Sequence, residues 1–279
     1  SLLVLRYTTP DIVGTAGQLT EGGSRTEAIA LPPVYDERRG NLTVQMDPSL
    51  AAGMQDGLEY LEHYEYECTE QTVSRFLPNI LTYRALTSLG LENPELAEKL
   101  PALVDEGLKK LYNQQNPDGG WGWWPTPLAS SRNGGASNPH VSGYVVFALL
   151  KAQESGWEVR QEVLQQGLAY LQSELKTIED YVNFRDANRQ AWLLYVLAEA
   201  DQAPTGALGD LYENRQKLSY YARAYLAQAL WLADPADSRL STLLSDLNNA
   251  AILSATGAHW EESNYSWWAM NTDTRSTAI

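Results

Sequence analysis

The sequence contains a single cysteine, Cys68, among 279 residues. One cysteine cannot form a disulfide within the chain, so cysteine pairing says nothing about the redox compartment. No apolar run reaches the length that a membrane-spanning helix needs. Basic residues are scarce, with 20 Lys and Arg against 35 Asp and Glu, and the formal net charge of −15 disfavours nucleic acid and anionic lipid as partners. This charge is compatible with a soluble extracytoplasmic protein.

The motifs of several enzyme classes are absent from the sequence. No set of metal ligands, no phosphate-binding loop and no Ser-His-Asp order occurs at a useful spacing, and no cofactor is expected. The three histidines are His63, His140 and His259. Each is more often a helix-end or packing residue than a catalyst.

The chain is long enough for one large domain or two smaller ones, and 44% of its residues are hydrophobic. Residues 1 to 48 favour a few β-strands of an incomplete sandwich, at Leu2–Tyr7, Glu27–Leu31 and Asn41–Met46. From Pro48 onward the apolar residues recur with a helical period. We therefore predict two regions, residues 1–48 and residues 49–279.

The helical region predicts a series of paired helices. The predicted helices are Leu50–Tyr64, Thr69–Leu89, Pro94–Gln114, Pro139–Glu154, Val159–Lys176, Asp186–Ala200, Leu208–Lys217, Ser219–Ala233, Ala236–Ser254 and one that starts near Asp273. Helix pairs that repeat at roughly 40 to 50 residues are typical of stacked helical hairpins. We predict a mostly α fold, an α6/α6-type α/α toroid of helical hairpins, preceded by the short β-strand segment. We expect the ring to be incomplete at its C-terminus.

The spacing of Cys68 and Gln71 permits a particular reaction. On a helix, residues i and i+3 share a face, so the thiol can meet the side-chain carboxamide. Attack of the thiolate on the carboxamide carbon would expel ammonia and leave an internal thioester, and the intramolecular geometry supplies the effective concentration. A place in the first helical turn is expected to lower the pKa of the thiol. Glu70 lies between the two residues and could assist the proton transfer.

A stored thioester must be kept from water by apolar walls. Aromatic residues that could shield it are Tyr66, Trp121, Trp123 and Trp124. Each feature also has a plainer interpretation. Cys68 could be a buried free thiol, Glu70 an acid favoured in a first turn, and the tryptophans a structural lid on the helices.

The order of residues around Cys68 resembles a known family. The run Cys68–Pro78 is similar to the Cys-x-Glu-Gln motif of alpha-2-macroglobulins and complement thioester proteins, most of all to its bacterial form. Asn116–Pro125 and His259–Glu261 resemble later segments of the same family, in the same order. The resemblance runs from about Leu50 to the C-terminus.

The resemblance implies a fold and a function. It implies a thioester domain on an α/α toroid at residues 49–279, next to part of a CUB-like β-sandwich at residues 1–48. The thioester would form between Cys68 and Gln71 and would acylate lysine amines of attacking proteases, so the protein would be a single-turnover protease inhibitor and not an enzyme. Complement members that transfer to hydroxyls use a histidine in a loop that corresponds to Thr177–Arg185, and this loop has none. We therefore expect amines to be the acceptors.

The family also implies partners and a location. Other domains of a longer chain would carry the protease bait and the trigger. No signal peptide or lipid anchor is visible where the sequence opens at Ser1, so we expect an extracytoplasmic fragment whose targeting sequence, and any membrane anchor, lies upstream.

Two other functions remain open from the sequence. Gln115–Trp121 fits the Gln-x-x-x-Gly-x-Trp repeat of triterpene cyclases, which favours an enzyme on the same toroid, although the Asp-x-Asp-Asp acid motif of those enzymes is absent. A glycosidase with an α/α barrel would need two facing carboxylates, which a sequence cannot exclude. The third interpretation is an interaction scaffold in which Cys68 never reacts.

Overall fold

A computed structural model gives the conformation of most of the chain. The residues that it describes are 11–15, 17, 19, 22–36, 38, 40–44, 46, 68–90, 94–125, 135–177, 184–254, 257–263 and 271–279. The chain divides into two compact units, one of Ser1–Met46 with Ser254–Thr256 and one of Asp47–Leu253 with Gly257–Ile279.

In the first unit, the described residues between 11 and 46 form neither helix nor strand. The strands predicted at Glu27–Leu31 and Asn41–Met46 are therefore wrong for the residues that can be assessed, and the strand predicted at Leu2–Tyr7 lies outside the described residues. Alternating apolar residues make a strand only when a neighbouring segment accepts and donates the ladder hydrogen bonds. Here the apolar side chains of Leu42 and Val44 remain exposed.

The second unit confirms the predicted fold class, since most of its described residues are helical. The elements are α1 (Thr69–Ser88), α2 (Pro94–Gln114), α3 (Pro139–Glu154), α4 (Gln161–Ser173), α5 (Phe184–Ala198), α6 (Thr205–Glu213), a 3-10 turn (Arg215–Lys217), α7 (Tyr220–Ala233), α8 (Arg239–Ala250), β1 (Ile252–Ser254), β2 (Gly257–His259) and α9 (Asp273–Ala278). The predicted bounds of α2 and α3 are correct at both ends. The helix predicted at Leu50–Tyr64 lies outside the described residues.

The largest error of the helix prediction lies near the C-terminus. The helix predicted over Ala236–Ser254 ends at Ala250, because Ile252–Ser254 pairs with Gly257–His259 as a two-stranded sheet. Three-residue strands are too short for apolar alternation to reveal them. Among the other helices, the observed ends differ from the predicted ones by a few residues, most at the end of α6, which stops at Glu213 and not at the predicted Lys217.

The helices form two layers. Helices α1, α3, α5 and α7 contact one another in succession, and each outer helix, α2, α4, α6 and α8, packs against an inner one. Burial follows this arrangement, since α5 buries eleven of its fifteen residues, whereas α8 buries only Leu243. A helix that is enclosed on all sides needs apolar residues all round, whereas an outer helix needs one apolar stripe. The alternation of inner and outer helices is the layering expected of the α/α toroid.

Contacts between neighbouring inner helices show where each of them begins. Ser74 and Tyr144 are each the sixth residue of their helices, α1 and α3, and their hydroxyls lie 3.2 Å apart. Asn188, the fifth residue of α5, donates to the hydroxyl of Ser219, the residue that precedes α7, at 2.9 Å. His140, Asp186 and Tyr221, from the first turns of α3, α5 and α7, line one cavity. The starts of the four inner helices, including the start at Cys68, therefore lie at one end of the layer.

Candidate functional site

The candidate site is the start of inner helix α1, where Cys68 is the N-cap residue. The backbone N–H of Gln71 donates to Cys68 Sγ at 3.4 Å, and the backbone N–H of Cys68 donates to Gln71 Oε1 at 3.3 Å. This reciprocal pair is a capping box, in which cysteine takes the place usually held by serine or threonine. The capping box folds the carboxamide of Gln71 back over Cys68, so the thiol and the carboxamide lie on the same side of the helix start.

Further hydrogen bonds hold this helix start in place. The carbonyl oxygen of Cys68 accepts from the backbone N–H of Thr72 at 2.9 Å and from its hydroxyl at 3.0 Å. The backbone N–H of Thr69 donates to the carbonyl oxygen of Trp123 at 3.0 Å. Cys68 itself is only 7% exposed. The thiol is thus buried and oriented by both its own helix and the loop that follows α2.

Burial raises the pKa of the Cys68 thiol above its ordinary value of 9.0. Loss of water around the sulfur is the largest cause, the hydrogen bond from Gln71 N–H acts in the opposite direction, and the charge of Glu70 raises the pKa further. The expectation that the first helical turn would lower this pKa is therefore wrong, because desolvation outweighs the helix-end contribution. In this buried state the thiolate is disfavoured, both as a nucleophile and as a leaving group.

The raised pKa predicts a stability that depends on pH when the thiol is free. The pKa of the Cys68 thiol is higher in the folded chain than in the unfolded one. The buried thiol therefore adds stability at pH values below 9, and this stability is lost as the pH rises from 9 through the folded-state pKa. In Gln71→Glu, where the thiol stays free, we expect the free energy of unfolding to fall between about pH 8 and pH 10. Urea unfolding at each pH measures this fall. In Cys68→Ser the free energy of unfolding should fall less over the same pH range. An equal fall in the two variants would contradict the prediction.

Glu70 is held by a chain of hydroxyls that the sequence did not single out. Ser74 Oγ donates to Glu70 Oε1 at 2.7 Å and lies 3.2 Å from the hydroxyl of Tyr144 on α3. Ser74 is itself buried. The i, i+4 spacing of Glu70 and Ser74 could have indicated the first contact, whereas the second depends on the packing of α1 against α3.

The proposed shielding tryptophans lie in three different environments. Trp121 is fully buried in the core, and its Nε1 donates to the carbonyl of Leu111 at 2.8 Å. Trp123 is partly buried, and its backbone reaches the residue after Cys68. Trp124 is 43% exposed, and Tyr66 lies outside the described residues. Of the described tryptophans, Trp123 is the one whose backbone bonds to the helix start.

The segment that resembles a cyclase repeat, Gln115–Trp121, forms a structural loop. Gln115 Nε2 donates to the carbonyls of Gly119 and Val163, both at 2.9 Å, and thereby joins the loop to α4. Gly119 has φ +87°, and a Cβ there would lie 2.5 Å from the carbonyl oxygen of Gln166. The glutamine, the glycine and the buried tryptophan are therefore explained by packing of the loop on its neighbours.

His140 and His259, the two histidines that the structure describes, show no arrangement that would serve catalysis. Burial lowers the pKa of His140 to about 4, and nearby Arg275 acts in the same direction. The ring of His259 is 42% exposed and lies 3.2 Å from Glu261, and His63 lies outside the described residues. Across the described part of the chain, no group of three or more His, Cys, Asp or Glu side chains could hold a metal ion. Within the same residues, no helix combines the length and apolarity that spanning a membrane requires.

The fold and the site together define a class of protein: a layered α/α domain whose lone cysteine starts an inner helix in a capping box with a glutamine. Residues 42–177 match the family model described as the A-macroglobulin TED domain. This part of the chain belongs to that family.

Relatives and solved structures agree with the family match. Over 156 residues, the chain is 34% identical to "Alpha-2-macroglobulin" of Thermotoga maritima, a match that covers 56% of this chain and 9% of that protein. Salmonella alpha-2-macroglobulin reacted with methylamine matches with a TM-score of 0.63 and 25% identity, over 82% of this chain and 14% of the other. Trypsin-activated alpha-2-macroglobulin from Escherichia coli matches with a TM-score of 0.55 and 27% identity, over 67% of this chain and 13% of the other. The chain thus spans about a tenth of the length of the relative it matches.

Proposed function

We propose that this chain carries an internal thioester between Cys68 and Gln71 and serves as the acylating part of a protease-trapping protein. The observation that carries the proposal is the capping box, which brings the carboxamide of Gln71 against the cysteine by two reciprocal hydrogen bonds of 3.3 and 3.4 Å. The reacting groups are thereby held close before any reaction, which is the main requirement of an intramolecular acyl transfer. The family match and the methylamine-reacted neighbour support it.

In the proposed closure, Glu70 carries the proton. Its carboxylate takes the proton of the Cys68 thiol, and Sγ attacks Cδ of Gln71. The bond between Cδ and the amide nitrogen then breaks, and Glu70 returns the proton so that ammonia leaves. The contact from Ser74, supported by Tyr144, fixes the carboxylate for this transfer. Thiol and carboxamide are thus converted to thioester and ammonia without an external reactant.

Two properties of the closed site would preserve the thioester. Cys68 is 7% exposed, so water has little access to the acyl group. Burial also raises the pKa of the thiol, which makes the thiolate a poor leaving group while the site stays closed. Opening the site would remove both restraints at once. Trp123, bonded through its carbonyl to Thr69, is the residue that we propose as part of the shield.

We propose lysine amines of target proteases as the acceptors. The amine nitrogen attacks Cδ, the Cys68 sulfur leaves and takes up the amine proton, and an amide remains. The segment Thr177–Arg185 contains no histidine that could pass the acyl group to hydroxyls. The trypsin-activated neighbour supports a protease as the partner. The trigger would lie in other domains of a longer, extracytoplasmic chain, to which residues 49–279 would contribute the thioester domain.

The choice of acceptor can be measured directly. We expect a fluorescent primary amine to label the chain covalently, whereas a fluorescent alcohol of matched size at the same concentration labels it far less. A denaturing gel after brief mild warming, which opens the site, gives both signals. Cys68→Ser should abolish the amine signal, since it removes the thiol and keeps a good N-cap residue. Equal labelling by amine and alcohol would contradict the assignment of acceptor, and amine labelling that survives in Cys68→Ser would contradict the thioester.

A further inference from the structure

A second site lies at the end of the inner helical layer where the helices begin. A cavity of about 220 Å³ opens between the starts of α3, α5 and α7. Its lining includes His140 from α3, Arg185 and Arg189 from α5, Tyr221 from α7, and Arg275 from α9. Four separate helices therefore contribute to one concave surface.

The charge of this cavity is opposite to that of the chain. Three arginines line it, against a single acidic side chain, Asp186, although the whole chain has a net charge of −15. Asp186 lies 3.3 Å from Lys176 Nζ, so a lysine already faces that carboxylate. His140 is neutral near pH 7, because burial lowers its pKa to about 4. The cavity thus concentrates positive charge within an acidic protein.

One arginine has a buried donor that is left unused. Arg189 Nε is enclosed and has no hydrogen-bond partner among the described residues. A buried donor without an acceptor costs free energy, so such atoms commonly mark a place where a ligand or an ion supplies the acceptor. The N-terminal ends of α3 and α5 add positive backbone dipoles at the same place. The start of α7 already has an acceptor, because the backbone N–H groups of Tyr220 and Tyr221 donate to the buried carboxylate of Glu262. An anion is the occupant that would satisfy all of these features.

Packed aromatic rings on one side of the cavity make the site rigid. Trp192 lines the cavity, and its ring centroid lies 5.9 Å from that of His140 and 5.1 Å from that of Tyr225. The Nε1 of Trp192 donates to the carbonyl of His140 at 3.3 Å, and Arg275 donates to the Tyr225 hydroxyl at 3.4 Å. Packed aromatic rings and these hydrogen bonds hold the lining side chains in fixed orientations. A preformed site loses little entropy when a ligand binds.

We propose that this cavity binds a small, multiply charged oxyanion, a polycarboxylate or a phosphate, through Arg185, Arg189 and Arg275. Guanidinium groups match carboxylate and phosphate oxygens with paired N–H donors. The volume is smaller than that of common drug-sized ligand pockets, which favours a compact anion over a peptide segment. The site is independent of the thioester, because none of its residues belongs to the capping box or to the Glu70 contacts.

Calorimetric titration of the 279-residue chain tests the proposal, with citrate and inorganic phosphate as probes at constant ionic strength. The Cys68→Ser variant serves as the background, so that no covalent chemistry contributes. We expect saturable binding of at least one probe, and Arg189→Gln should weaken it by about tenfold or more, since a hydrogen bond to a charged group is lost. Arg185→Gln, which changes a more exposed lining residue, should also weaken it and provides a second variant if Arg189→Gln does not fold.

The matched control is Arg84→Gln, which removes the same charge from a half-exposed position at the other end of α1, outside the cavity. This variant should bind citrate or phosphate with the same affinity as the Cys68→Ser chain. The proposal would be overturned by a lack of saturable heat with both probes, or by equal weakening in Arg84→Gln and the cavity variants, which would indicate only a general effect of net charge. Neither result would bear on the thioester, because Cys68 takes no part in this experiment.

Discussion

The freshly purified chain is expected to weigh one ammonia molecule less than its sequence requires. Closure of the ring joins Cys68 Sγ to Gln71 Cδ and releases ammonia, so the missing mass reports the bond itself. After denaturation such a chain should show no free thiol. Incubation with methylamine should add one methylamine to the chain and release one thiol, because the amine takes the acyl group from the sulfur. Intact mass spectrometry and a thiol assay measure both changes on the same sample.

Two substitutions separate this chemistry from the stability of the helix start. Cys68→Ser places a hydroxyl as the N-cap acceptor, and Gln71→Glu places a carboxylate at the third helical position, so each preserves a capping box. Each removes one of the two groups that the thioester requires. Both variants should keep the helical circular dichroism of the parent chain, carry the full mass of their sequences and gain nothing from methylamine.

The result that would end the thioester proposal is a folded, freshly prepared parent chain with its full sequence mass, one free thiol and no methylamine adduct. A chain one mass unit heavier than its sequence, with one free thiol, would instead show a thioester that formed and was then hydrolysed, since Gln71 would have become glutamate. The mass therefore distinguishes a bond that never formed from one that was lost.

Replacement of Trp121 by alanine should produce a much larger loss of stability than replacement of Trp124 or Trp231. Trp121 is fully buried, its Nε1 donates to the carbonyl of Leu111 at 2.8 Å, and its ring lies against Gly167, where a Cβ would approach to 3.0 Å. Removal of the indole leaves a cavity and an unpaired carbonyl. We expect a loss of about 3–5 kcal/mol in the free energy of unfolding, measured by urea denaturation.

The control for this loss is Trp231→Ala on inner helix α7. The Trp231 side chain is 56% exposed, so its removal creates no enclosed cavity, and the expected change is about 1 kcal/mol or less. Similar losses in the two variants would show that Trp121 is not the core residue that its burial indicates. Trp124, at 43% exposure, belongs with Trp231 in this comparison.

The helices were predictable because their signals are local. The predicted bounds of α2 and α3 are correct, since Pro94 and Pro139 mark helix starts and Asn138 is a strong capping residue. The strand predictions for residues 27–31 and 41–44 failed for the opposite reason. A strand depends on a partner elsewhere in the chain, and alternation along one segment does not show whether that partner is there.

The candidate site was predictable in part. The spacing of Cys68 and Gln71 placed the two residues together, and the structure brings them into one capping box. The predicted helix Thr69–Leu89 already placed Cys68 directly before the helix, and the structure makes it the N-cap residue. The direction of the thiol pKa shift was wrong, because the sequence showed the helix start but not the burial of the sulfur.

The sequence by itself determined the placement of one cysteine three residues before a glutamine at a helix start, the succession of helices and the acidic charge, because these depend on neighbouring residues or on composition alone. Only the tertiary structure decided the burial of the thiol, the contact of Ser74 with Tyr144 on another helix, and the cavity lined by arginines from two helices. Such features arise where segments that are distant in the chain come together, and no local pattern of residues records which segments will meet.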